Sequence, residues 1–148
     1  MRIGIVDYGL GNVKSVKSAF EFLGYDSQLC QTNSDFKKST HIVIPGVGSF
    51  ERGIKLLKKR KILPILNDHV CIQKKPTLGI CLGLQLMTKR SLEFGNHVGF
   101  NWFDGDVIQI PITNKSATLP NIGWEEVTFN NSPLFSGIKQ NADFYFVH

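Results

Sequence analysis

The sequence is poor in cysteine and has no metal-ligand spacing. Its three cysteines, Cys30, Cys71 and Cys81, are an odd number without a C-x-x-C pair. That excludes a closed disulfide framework and a zinc site, and points to a reducing compartment where any cysteine chemistry is that of a free thiol. No apolar run approaches the length a bilayer requires. Asp7 interrupts "MRIGIVDYG" where a signal peptide would need unbroken apolar sequence, so this stretch reads as a buried first strand and the expected location is cytoplasmic. Zinc-finger spacing and the aromatic–basic ribonucleoprotein motif are also missing. Basic residues do exceed acidic ones, 17 to 12, giving a net charge of +5. The excess collects in "KLLKKRK" (55–61), where Ile54, Leu57 and Ile62 space an apolar stripe beneath the lysines, the pattern of a solvated helix face. Neither nucleic acid nor membrane is expected as a partner, and no cofactor or metal is called for.

With 148 residues, 42% hydrophobic and 20% charged, the chain suits one globular domain with a single core. Arg2 to Val6 reads as a strand, followed by the turn "DYGLGN". Val13, Val16, Ala19, Phe20 and Leu23 then recur at helical spacing up to Gly24. Ser27 to Gln31 and "HIVIPG" read as further strands, then comes the basic helix, the apolar run "PTLGIC" and the helical pattern of "LGLQLMTKR". This order predicts an α/β fold with a mostly parallel sheet flanked by helices in the first 90 residues. From Gly99 the style changes. "FNWFDGDVIQIP", "IGWEEVTF" and "FYFVH" read as strands between turns, an antiparallel extension in the C-terminal third.

Two glycine-rich turns fall short of nucleotide motifs: "GLGNVK" has lysine where a third glycine should stand, and "PGVGSFERG" lacks Gly-Lys-Ser/Thr. "TLGICLGLQL" (77–86) is more specific. Gly79, Cys81 and Gly83 form a G-x-C-x-G frame between an apolar run and a helical pattern. That is the layout of a nucleophile elbow, in which the central residue is strained and a Cβ two positions either side would collide with the neighbouring strand or helix. Cys81 would stand at a helix start, where the dipole favours thiolate. The N–H of Leu82 would face the oxygen of a tetrahedral intermediate, and one such donor is worth about 10²–10³ in rate. "PGVGSF" (45–50) ends the preceding parallel strand, so its peptides should lie beside the elbow. A buried structural cysteine and a plain strand-ending turn are the bland alternatives.

"DYGLGN", "IPGVGSF", "GICLGLQL" and "PNIGW", in this order, resemble the class I glutamine amidotransferases, and among them the branch of glutaminase subunits of imidazole glycerol phosphate synthase. The resemblance runs from Met1 to His148. G-x-C-x-G-x-Q marks the wider class; "DYGxGN" with "PGVGxF" is specific to the branch. The resemblance implies the flavodoxin-like fold of that class and a glutaminase reaction. Cys81 would attack the side-chain amide of glutamine, release ammonia and form a glutamyl thioester that water hydrolyses. The oxyanion donors would be the backbone of Leu82 and of Val47 or Gly48. Gln85 and Glu93 would bind glutamine, Glu93 through its α-ammonium, and Asn12 and Trp124 would lie at or near the face of a (β/α)8-barrel synthase subunit that receives the ammonia for imidazole glycerol phosphate in histidine biosynthesis. Taken alone, Gln85 and Glu93 would read as solvated helix side chains, and Trp124 would read equally as core.

The pattern breaks at the base. The family draws a histidine and its orienting glutamate from a later F-H-P-E-type segment, which residues 1–148 do not contain. His148 matches an earlier strand near the substrate pocket, and His41, His69 and His97 have no pattern that recommends them as the base. The expectation is a glutamine amidotransferase domain over 1–148 that is C-terminally incomplete and inactive as it stands. Two alternatives stay open: a paralogue that supplies ammonia to amination of a surface-polysaccharide sugar, and a truncated non-catalytic module that binds the partner.

Overall fold

The computed structural model describes residues 1–112 and 119–147; His148 lies outside the described residues. The chain falls into two compact units, Met1–Gln109 and Ile110–His148.

In the first unit the two central strands are apolar on both sides. In β1 (Arg2–Val6) and β3 (His41–Gly46), Ile3, Ile5 and Val43 pack with Val13, Val16 and Phe20 of α1 (Val13–Phe22). Val6, Ile42 and Ile44 alternate with them and join a separate cluster. Continuous apolar strands of this kind belong in parallel sheets with both faces covered. β2 (Asp26–Cys30) and β4 (Thr77–Cys81) complete a four-stranded parallel sheet in the order β2-β1-β3-β4. The second cluster draws Phe36 from α2 (Asn33–Lys38), Ile54 and Leu57 from α3 (Phe50–Lys59), Ile62 and Leu66 from α4 (Ile62–Asn67), and Leu82 and Leu86 from α5 (Leu82–Met87). Each such aliphatic burial contributes about 1.5–3 kcal/mol. α3 is the expected basic helix: Ile54 and Leu57 are buried while Lys55, Lys58 and Lys59 are exposed. β4 is an edge strand among the described residues, and its Leu78 and Ile80 are 44% and 37% exposed.

α2 lies between β2 and β3, where the periodicity gave no helix. It is only six residues long and buries Phe36 alone, too few apolar positions to establish a period. Its start was legible in another way. Thr32 and Asp35 form a reciprocal capping box, and the backbone N–H groups of Gln31 and Thr32 hold the Asp35 carboxyl below the usual carboxylate range. α4 runs into a π-helical turn, Asp68–Ile72, that was not anticipated either.

The expected strand in "FNWFDGDVIQIP" shrinks to Asp106–Val107 (β7). It pairs in parallel with Arg90–Ser91 (β5), which pairs antiparallel with His97–Val98 (β6). Asn101 at φ 56° and Gly105 at φ 153° interrupt the extended run, and the indole N–H of Trp102 donates to Asn67 Oδ1 at 2.8 Å. In the second unit, β8 (Ile122–Val127) and β9 (Ala142–Val147) form an antiparallel ladder from Ile122↔Val147 to Val127↔Ala142, as expected for the C-terminal third.

His69 sits fully buried in the π-helical turn. Its Nδ1 is 3.0 Å from Gln73 Oε1, its Nε2 is 2.9 Å from Asn33 Oδ1, and its ring stacks on Phe36. Burial, and then the neighbouring Lys75 charge, lower its pKa below the ordinary 6.5. The unfolded chain therefore binds a proton that the folded one refuses. Stability should be full above pH 6.5 and decline as the pH falls from there through the lowered folded value. Urea midpoints between pH 7.5 and 5 should show this slope, and His69→Gln should flatten it.

Candidate active site

Strand order 2-1-3-4 reverses direction between β1 and β3, and in doubly wound sheets ligands bind over the C-terminal strand ends at that switch point. Three turns meet there: residues 7–12 after β1, residues 46–49 after β3, and the β4–α5 junction at Cys81. The ladder pairs Gly46 with Cys81, so the second and third turns start side by side.

Cys81 is exposed, with φ 52° and ψ −116°, a conformation an L-residue holds only under constraint. Two close approaches supply it. A Cβ on Gly83 would fall 1.7 Å from the carbonyl oxygen of Ile44, and one on Gly79 would fall 2.5 Å from Leu84 Cα. α5 is therefore pressed onto β3 and folded back over its own strand, leaving Cys81 nowhere to go but outward. No side chain caps α5, so its first N–H groups are not taken by a cap. Leu82, which follows the cysteine, is buried.

The turn after β3 is open. Val47 is 56% exposed, and Gly48 has φ 94° with no described residue beyond its chain neighbours within 4 Å of where its Cβ would lie. Glu93 Oε2 accepts from the N–H of Phe50 at 2.9 Å and so caps α3, whose own N-cap Ser49 contributes no side-chain bond. The structure thus ties Glu93 to the segment that carries Val47 and Gly48. Gln85 is half-buried on α5, one turn beyond Cys81, and its amide makes no hydrogen bond to a described residue. Asn12 is exposed and caps α1, its Oδ1 accepting from Ser15 N–H. Trp124 lies in the second unit on β8, 71% exposed and edge-on to Tyr145 at 5.6 Å.

The described histidines have other surroundings. His41 opens β3, five residues before Gly46, about 16 Å back along the strand. His69 is held between Asn33 and Gln73, and His97 pairs with Ser91.

Tyr8 was missed by sequence reasoning. It is fully buried, and its hydroxyl reaches no hydrogen-bond partner among the described residues. A Cβ on Gly46 would fall 2.5 Å from that hydroxyl oxygen, 2.9 Å from Leu82 Cβ and 3.0 Å from Gly83 N. Burial, and then negative charge on Cys81, push the phenol well above its ordinary pKa, so it stays protonated. An unpaired buried hydroxyl costs about 1–3 kcal/mol. Gly11 was missed with it: at φ 94° it packs on the backbone of Pro45 and Gly46 and joins the first turn to the second. The signal was "DYGLGN" itself, which the sequence offers as a turn and a family motif without showing what its tyrosine and second glycine touch.

The family profile described as "Glutamine amidotransferase class-I" matches residues 4–148. Among curated proteins, the chain is 38% identical to imidazole glycerol phosphate synthase subunit HisH 1 of Campylobacter jejuni, covering 99% of this chain and 73% of that one. It is also 38% identical to subunit HisH of Caldanaerobacter subterraneus, covering 99% and 70%. With subunit HisH 2 of Pseudomonas aeruginosa the identity is 33%, over 99% and 72%. Two solved structures share the fold. One is a glutamine amidotransferase (TM-score 0.55, 16% identity, 66% of this chain and 51% of that one). The other is a Listeria monocytogenes EGD-e protein assigned to peptidase E (TM-score 0.55, 13% identity, 69% and 62%).

The wedge at the elbow makes a stability prediction. Gly83→Ala puts a methyl into the Ile44 carbonyl and should cost at least about 3 kcal/mol or prevent folding. Gly24→Ala faces open space at φ 81° and should cost only about 1–2 kcal/mol. Equal urea midpoints for the two variants would show that α5 can move off β3 freely.

Proposed function

The chain belongs to the class-I glutamine amidotransferase family, and we propose that it is the glutaminase subunit of an ammonia-channelling synthase, with Cys81 as its nucleophile. The observation that carries this is the outward, strained Cys81 standing beside the open Val47–Gly48 turn.

In this reading the Cys81 thiolate attacks the side-chain carbonyl carbon of glutamine. The C=O pair moves onto oxygen, where the N–H of Leu82 and an N–H from Val47 or Gly48 receive the charge. As the tetrahedral intermediate collapses, the C–N bond breaks, the nitrogen takes a proton and ammonia leaves, with a γ-glutamyl thioester on Cys81. Water then attacks the thioester, releases glutamate and restores the thiol. A general base must take the thiol proton and give it to the leaving nitrogen, and no pattern in the sequence recommends the histidines at 41, 69 and 97 for that role. Gln85 and Glu93 hold the substrate, Glu93 by pairing with its α-ammonium. The relatives named as subunits of imidazole glycerol phosphate synthase support an ammonia acceptor within such a synthase. The family resemblance makes that acceptor a (β/α)8-barrel subunit, in the cytoplasm and within histidine biosynthesis, with Asn12 of the first unit and Trp124 of the second each as a contact residue.

Cys81→Ser in the complete enzyme, assayed with the synthase partner, should lower ammonia release from glutamine by about 10³-fold or more; release at the parental rate would remove Cys81 from the reaction. Glu93 separates two roles. Glu93→Gln keeps an acceptor for Phe50 N–H but loses the charge, so it should raise the KM for glutamine while keeping the thermal midpoint. Glu93→Ala should raise the KM and also cost about 1 kcal/mol through the lost cap. An unchanged KM in both variants would leave Glu93 with the cap alone.

A further inference from the structure

A phenylalanine would fill the site of the Tyr8 ring as well as tyrosine does. The ring belongs to the cluster of Ile44, Phe50, Leu82 and Leu86, and those contacts are apolar. The hydroxyl at its far end is buried without a partner among the described residues, a rare condition that calls for a use. It lies where β3 ends and α5 begins, against Gly46, the ladder partner of Cys81. Only a glycine fits at position 46, because a Cβ there would occupy the space of the hydroxyl oxygen.

We propose that Tyr8 is a positioning residue for the nucleophile, its buried hydroxyl held in reserve beneath the elbow to donate a hydrogen bond to the sulfur of Cys81 when that sulfur is negatively charged. A thiol asks little of a nearby donor, whereas a thiolate is a charged acceptor and takes charge-assisted bonds of about twice the ordinary strength. The phenol is suited to give such a bond, since burial and the adjacent cysteine charge both keep its proton on. A donor rooted in the core would leave the exposed side of Cys81 free for an electrophile.

The inference rests on Cys81 as the nucleophile of the proposed glutaminase, and its test needs no glutamine turnover. Alkylation of Cys81 by iodoacetamide, followed by peptide mass in the intact protein from pH 5.5 to 10, compares the parent with Tyr8→Phe. The expected result is alkylation about tenfold slower at pH 7 in Tyr8→Phe, with the two proteins alike by pH 10. The thermal midpoint of Tyr8→Phe should be unchanged or higher, because the variant removes an unpaired polar atom. Superimposable profiles overturn the proposal. So does a clear loss of stability or of folding in Tyr8→Phe, since that would mean the hydroxyl braces the fold, for instance at the Gly46 peptide. Glutamine hydrolysis that survives Cys81→Ser would overturn the glutaminase reading separately and leave the alkylation result to stand on its own.

Discussion

The whole site depends on the contact between Gly83 and the carbonyl oxygen of Ile44. A single Cβ on Gly83 would lie 1.7 Å from that oxygen, so α5 rests against β3 with no side chain between them. Helix and strand this close leave one path for the chain between β4 and α5, a turn sharp enough to force Cys81 to φ 52° and ψ −116°. The strain is held in place by the buried cluster around Leu82, Leu86 and Phe50, which would have to come apart for the turn to relax. Cys81 is exposed because the packing beneath it is tight.

The same logic extends across the switch point. Gly11 leans on Pro45 and Gly46, Gly46 pairs with Cys81, and the Tyr8 hydroxyl fills the space that Gly46 leaves open. Three turns far apart in sequence are therefore set against one another by backbone approaches, and glycine is the residue that permits each of them.

Much of this was legible in the residues. β1 and β3 announced themselves as short apolar runs because strands buried on both faces need no alternation, and the G-x-C-x-G frame predicted the elbow because its glycines have a steric reason. α2 was hidden because six residues with one buried phenylalanine make no period, although the Thr32–Asp35 capping box marked its start. The strand expected through Asp106 was overcalled because composition does not reveal that Asn101 and Gly105 take positive φ. Tyr8 was invisible for a further reason: an aromatic beside a strand end reads as core, which its ring is, and only the folded structure shows that its hydroxyl reaches no partner among the described residues. The cap that Glu93 gives Phe50 spans 43 residues, which no local pattern encodes.

That cap shows how an open turn can still be a placed one. The segment from Gly46 to Phe50 is held at both ends: Gly46 by the β3–β4 ladder next to Cys81, and Phe50 by the Glu93 carboxylate and its buried ring. Between them, Val47 is exposed, and a Cβ on Gly48 would meet no described residue beyond its chain neighbours within 4 Å. The position of these two peptides is thus governed by their anchors and hardly by contacts of their own. One anchor is the strand that carries the cysteine, and the other is a carboxylate whose Oε1 makes no hydrogen bond to a described residue. A cationic group that reached that second oxygen would act on the same carboxylate that fixes the end of the turn, so occupancy at Glu93 and the placement of the Val47–Gly48 peptides are linked through a single side chain.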